Sequence, residues 1–145
     1  MDKLINAMKI YFATNFSYYM KSHGYHVNVV GPDFYQYHKL LQKVYEDAQE
    51  NIDKIAEEIR TLQSVVPFSM DRILKLSKVS DASDTPKALE MIKELLADTE
   101  VVCESIRDAH ALANEQEAYG LVNYLEARLD DHYRFQWMLR STLES

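Results

Sequence analysis

The chain has 145 residues, 47% of them hydrophobic and 27% charged, with a formal net charge of −7. That is a globular mixture of one-domain size, so disorder is excluded and a single domain over residues 1–145 is expected. Cys103 is the only cysteine, which excludes an internal disulfide framework and fits a reducing, cytoplasmic setting. No apolar run reaches the roughly 18 residues that a membrane span needs, and the start "MDKLINAMKIYF" is amphipathic rather than signal-like. The acidic balance disfavours affinity for phosphate backbones.

Gly and Pro number three each, which points to long, uninterrupted helices. The first helix is expected from Lys3 to Asn28, with Leu4, Met8, Tyr11 or Phe12, Asn15 and Tyr18 or Tyr19 on its inner stripe. "VVGPD" ends it, because Pro32 keeps Gly31 out of helical geometry. Asp33 then stands as an N-cap with Gln36 three residues on, a capping-box pattern. The second helix continues to about Leu62 through Phe34, Tyr37, Leu41, Val44, Ala48, Ile52, Ile55 and Ile59. Spacings of three and four make this the clearest helical signal in the chain.

The next stretch, "QSVVPFSMDRILKLSKVSDASDTP", is too long for a simple bundle turn. Ser69 is placed to cap a short helix through "MDRILKL". Thr85 as cap with Pro86 in the first position predicts the start of a third long helix, carrying Ala88, Ile92, Leu95, Thr99, Val102, Ile106 and Ala109. Asn114 and Glu117 form a second capping-box pattern and predict the opening of a fourth. Its stripe is expected at Val122, Leu125, Leu129, Tyr133, Trp137 or Gln136, and Leu143. Four such helices make an all-α four-helix bundle, and the short helix provides the crossover that parallel second and third long helices require.

Three of the five histidines, His23, His26 and His38, fall around the Gly-Pro turn. Asp53 and Glu57 sit at i and i+4 in "NIDKIAEEIR" and share a helix face. They lie at the margin of the apolar stripe, where two carboxylates repel unless a cation joins them. A solvated acidic edge is the plainer account of the same spacing. His38 and Asp53 are fifteen residues apart on one helix, about 22 Å at 1.5 Å per residue, and cannot serve one site within one chain. Two copies packed antiparallel about a two-fold axis bring each histidine to the other's carboxylates and create two equivalent sites. His26 comes close to His38 across the turn. Two imidazoles and two carboxylates suit Fe²⁺, Zn²⁺ or Mn²⁺. His23 either assists a metal or bonds the turn, the second being expected, and His110 and His132 are expected to be structural or exposed. Cys103, beside Val102 on an apolar helix, is expected to be a buried, inert thiol.

"HGYHVNVVGPDFYQYHKLLQKVY" followed by "DKIAEEIR" resembles the Dps family, the DNA-binding proteins from starved cells, which are ferritin-like mini-ferritins. The family's pattern appears as His23 and His26, then Gly31, Phe34 and His38, then Asp53, Ala56, Glu57 and Ile59. "PFSMDRILKL" and "LDDHYRFQWMLRSTL" resemble the family's short crossover helix and its C-terminal helix, so the likeness runs from Tyr11 to Arg140. It implies a ferritin-like bundle that assembles into a hollow dodecamer with a ferroxidase centre at each two-fold interface. His26 and His38 would come from one subunit, and Asp53 and Glu57 from its partner. The implied activity is oxidation of Fe²⁺, with hydrogen peroxide or O₂, and storage of the ferric product, which protects against oxidative damage. Zn²⁺ or Mn²⁺ would substitute in the site. A non-catalytic or DNA-coating cage with a degenerate centre is the alternative.

Several positions depart from the family's pattern. Val27 replaces the tryptophan that follows the second histidine, and Glu58 replaces a commonly basic residue. Lys39, Gln42 and Lys43 stand where acidic residues are frequent, which shifts the expected mineral-nucleating role to Glu46, Asp47 or Glu50. Ala118 and Asn123 replace carboxylates of the iron-admitting pore, with Glu115, Glu117 or Glu126 as candidate substitutes. Only Lys3 and Lys9 are basic near the N-terminus, so the Lys/Arg-rich tail of DNA-binding members has no counterpart and direct DNA binding is not expected.

Overall fold

A computed structural model describes residues 1–82 and 84–144. Four long helices and one short one are present, and no strand occurs among the described residues. They are α1 (Asp2–Asn28), α2 (Phe34–Thr61), α3 (Met70–Leu76), α4 (Ala88–Glu115) and α5 (Tyr119–Leu143). None is long and apolar enough to cross a membrane.

The α1 stripe behaves as its spacing predicts. Leu4, Met8, Tyr11 and Tyr18 are fully buried, and so is Asn15, whose Nδ2 donates to the Ala48 carbonyl at 3.0 Å. The turn into α2 depends on Gly31, whose φ of +125° lies in a region that a side chain disfavours. Asp33 takes the N-cap position, but its side chain makes no capping bond. Its backbone (φ −103°, ψ 26°) lies outside the extended region that aims a cap oxygen at the helix, so the predicted capping box with Gln36 does not form.

The crossover climbs α1. Segment 65–69 and Arg72 lie beside Lys9, the Lys78 N–H donates to Thr14 Oγ1 at 3.1 Å, and Lys21 Nζ reaches the Ser80 carbonyl. Ser69 caps α3 by accepting from the Arg72 N–H. The chain therefore enters α4 at the far end of α1, and α4 runs antiparallel to it. Lys21 pairs with Asp98 at 2.9 Å, and Tyr18 Oη meets Thr99 Oγ1 at 2.6 Å, one helical turn further down α1. Helix α5 returns alongside, with Tyr124 bonded to Asn51 and Arg128 to Asp47 of α2.

Two predicted helix starts need correction. The α4 N-cap is Lys87 rather than Thr85, because Lys87 is extended and the first backbone bond runs from the Met91 N–H to the Lys87 carbonyl. Asn114 does not open α5; it belongs to the last turn of α4. There the Ala118 N–H donates to the Ala113 carbonyl and the Glu117 N–H to that of Asn114, with Glu117 left-handed at φ +56°. This pairing closes a helix C-terminus. An N-x-x-E pattern thus marks an end, and α5 begins after Ala118. Gln63 (φ +64°) closes α2 in the same way, with Ser64 donating to Ile59 and Gln63 to Arg60.

The inner face of α5 is also rotated from expectation. Tyr133 and Trp137 point outward, and Leu121, Leu125, Arg128, His132, Phe135 and Leu139 are buried. The reason is electrostatic. Arg128 is 3% exposed and reaches both Asp47 oxygens, Asp131 Oδ2 at 3.1 Å and Tyr11 Oη at 3.3 Å. A paired guanidinium occupies a core position that an apolar-stripe reading assigns to solvent. Arg128 Nη2 also donates to His132 Nε2 at 3.1 Å. Burial, reinforced by the guanidinium, holds that imidazole well below its ordinary pKa. Cys103 is fully buried, and burial pushes its thiol up to about 11.

Candidate metal centre

His26 closes the last turn of α1 and His38 lies in the second turn of α2, on either side of the Gly31 turn. Their rings stack with centroids 3.8 Å apart and planes 16° from parallel. Each Nδ1 bonds the other residue's backbone carbonyl, His26 to the His38 oxygen at 2.7 Å and His38 to the His26 oxygen at 2.8 Å. A carbonyl oxygen only accepts, so both Nδ1 atoms carry hydrogen. In the neutral imidazoles the lone pair therefore resides on Nε2 of both rings. This is how metal-ligating histidines are commonly oriented, with one nitrogen tied to a carbonyl and the other presented for coordination. Burial lowers the pKa of His26, and although the bond to the His38 carbonyl opposes it, the His38 and His23 rings add to the lowering, so the net direction favours the neutral, ligating form.

Other rings support the pair. Phe34 stacks on His38 at 4.9 Å, which gives this 40% exposed residue a role beyond the core stripe predicted for it. Tyr45 lies 4.9 Å from His26, and His23 lies flat on Tyr45 at 3.9 Å. His23 does not bond the turn as expected; its Nδ1 is 2.9 Å from Tyr19 Oη. In the sequence Tyr19 stands only as an alternative core residue, and Tyr45 falls outside the apolar stripe of α2. Their helical spacing, Tyr19 four residues before His23 and Tyr45 seven after His38, was the available signal.

Asp53 and Glu57 lie on α2 but are exposed, not half-buried as their neighbours suggested. Lys54 between them turns away to Glu50 at 3.4 Å. Glu58 is partly buried, and desolvation followed by repulsion from Glu57 raises its pKa. Within one chain the two histidines and the two carboxylates are not brought together. Among the described residues no three His, Cys, Asp or Glu side chains gather into a metal-binding group. That agrees with the separation of about 22 Å along a single helix.

The substitute residues proposed for other roles are partly engaged. Asp47 is held by Arg128 and is not free to nucleate mineral, whereas Glu46 and Glu50 are exposed. Glu126 pairs with His110 at 2.8 Å.

A four-helix bundle whose second and third long helices are joined by a long crossover is the ferritin-like architecture. The ferritin-like domain model of the family matches residues 5–145. A low temperature-induced protein of Nostoc sp. is 34% identical over 97% of this chain and 80% of its own length. The DNA protection during starvation protein of Brevibacillus brevis is 28% identical over 87% of this chain and 85% of its own. The crystal structure of a Dps protein from Vibrio cholerae, described as a member of a broad superfamily of ferritin-like diiron-carboxylate proteins, superposes with a TM-score of 0.94. It is 27% identical, and the match covers 99% of this chain and 90% of that one. The chain belongs to the Dps family of ferritin-like proteins.

Proposed function

We propose that this protein is a ferroxidase and iron-storage mini-ferritin. It binds Fe²⁺ as substrate at sites shared by two subunits, His26 and His38 from one and Asp53 and Glu57 from the other. A closed dodecameric cage would retain the ferric product. The observation that carries the reading is the reciprocal lock of His26 and His38, which presents two Nε2 lone pairs side by side on a rigid turn. The i, i+4 pair of exposed carboxylates supplies the complementary anionic half. Neutral imidazoles with carboxylates suit Fe²⁺, and Zn²⁺ or Mn²⁺ would compete for the same donors.

The residues' work is positioning and charge. The Nδ1–H to carbonyl bonds keep the histidine tautomers fixed during turnover, so no proton has to leave an imidazole before iron binds. The carboxylates favour the more highly charged ferric product and so favour electron loss. Hydrogen peroxide accepts two electrons, so two ferrous ions and one peroxide with two protons give two ferric ions and two waters. Consuming both reagents removes the source of hydroxyl radicals. The net charge of −7 per chain argues against direct DNA coating, and a cage of such chains multiplies that charge.

Rapid mixing with Fe²⁺ and peroxide tests the reading. The parent protein is expected to form ferric absorbance quickly and to accumulate a mineral core. The variant carrying Asp53→Ala and Glu57→Ala is expected to lose the fast phase. Equal rates in the two proteins would refute the site.

A further inference from the structure

Arg128 is buried inside the bundle, and every hydrogen-bond partner of its head is an acceptor. Nη1 reaches Asp47 Oδ1 at 3.0 Å and Asp131 Oδ2 at 3.1 Å, and Nε reaches Tyr11 Oη at 3.3 Å. Nη2 reaches Asp47 Oδ2 at 2.5 Å and His132 Nε2 at 3.1 Å. The acceptors come from α1, α2 and α5. Two carboxylates, an imidazole nitrogen and a phenol are also donors that a divalent transition metal takes. Helix bundles build metal sites in this way, from side chains on facing helices.

His132 sharpens the comparison. A guanidinium has no lone pair to offer, so His132 Nε2 accepts and its hydrogen sits on Nδ1. That Nδ1 is enclosed in the core and has no partner, an arrangement that costs stability. The cation in front of the ring therefore sets its tautomer, with no bond behind it. The Nε2 lone pair points into the cluster, as a metal ligand's would.

We propose that Arg128 is a resident cation that fills a latent metal site inside each subunit and so confines metal uptake to the site shared between subunits. The second part rests on the ferroxidase reading above; the first stands on this cluster alone. Asp47 and Asp131 bring two negative charges, of which the guanidinium neutralises one and a divalent ion would neutralise both. Asp47 Oδ2 and His132 Nε2 both face Nη2. An ion at that point bonds oxygen and nitrogen at about 2.0–2.2 Å, so each donor has to move by roughly 1 Å at most. While the guanidinium is present, Asp47, Asp131 and His132 stand around it and form no metal-binding group. The Asp131 side chain is half-exposed and gives an ion a way in once the arginine head is removed.

The test is Co²⁺ titration followed by visible absorption, on full assemblies in which His26→Ala and His38→Ala have removed the shared site. With Arg128 in place, no ligand-field bands are expected. Adding Arg128→Ala should create a site for one Co²⁺ per subunit, seen as new bands of a nitrogen- and oxygen-ligated ion and a Tm that rises with Co²⁺. Adding His132→Gln as well should abolish both signals. Arg128→Lys, which keeps a positive charge at the position, should bind no Co²⁺. If Arg128→Ala folds only when Co²⁺ is present, that dependence supports the proposal too, and Arg128→Gln, closer in volume, repeats the measurement without the cavity. Absence of Co²⁺ uptake in both Arg128→Ala and Arg128→Gln would overturn the proposal. So would uptake that survives His132→Gln, or equal uptake with Arg128 in place. The ferroxidase reading is decided separately, by whether the parent protein with His26 and His38 intact oxidises Fe²⁺.

Discussion

A site split between two chains makes a quantitative demand on mixed assemblies. Take one variant with His26→Ala and His38→Ala, and a second with Asp53→Ala and Glu57→Ala. Each alone has no complete site. In a two-fold dimer containing one of each, one interface position combines both damaged halves and the other combines both intact halves. Random pairing at equal amounts makes half of the dimers mixed, so roughly one quarter of the parental sites are restored. His38 and Asp53 lie about 22 Å apart on one helix, so no single chain can restore a site by local rearrangement. The variants are unfolded together, refolded, purified as assemblies, and assayed for the fast phase of Fe²⁺ oxidation by peroxide. Recovery near one quarter of the parental amplitude is expected, and mixing without unfolding should give none. Refolded mixtures as inactive as their components, although the subunits have exchanged, would refute the shared site.

Three further outcomes follow from the core. Asp47→Ala strands Arg128 as a buried, partly uncompensated cation and should cost about 3–5 kcal/mol in urea unfolding, unless Asp131 swings in to replace it. His132 has a folded-state pKa well below its unfolded value, so the unfolded chain binds more protons once the pH falls below about 6.5. Stability in the metal-free protein should then fall by about 1.4 kcal/mol per pH unit from this group, and a His132→Gln variant should show a slope flatter by that amount. Above that pH the group contributes no slope. Gly31→Ala places a side chain at φ +125° and should cost about 1–3 kcal/mol, read as a lowered Tm, although open space surrounds the position.

The extent of the four long helices and the crossover was legible in the sequence because apolar spacing over 25 or more residues leaves little choice of period. The starts of α4 and α5 were not. Asn114-x-x-Glu117 matches a capping box by composition, yet the same residues close α4, because a terminus is decided by which backbone groups find partners. The α5 face was misjudged for a related reason. Arg128 reads as polar and therefore outward, and only the arrival of Asp47 from α2 makes its burial tolerable.

The sequence by itself determined the bundle and nominated His26, His38, Asp53 and Glu57. It also established that one helix cannot bring His38 to Asp53, since that follows from the rise per residue alone. Only the tertiary structure decided how the histidines are held. Their reciprocal bonds to each other's carbonyls join the end of α1 to the start of α2, and no spacing rule relates residues across a turn that tightly. The same holds for His23, whose partners Tyr19 and Tyr45 come from different helices and meet only because α1 and α2 pack side by side. Helical periodicity specifies which face a residue occupies; which side chains meet there is fixed by packing between elements, and the chemistry of this cluster depends on that packing.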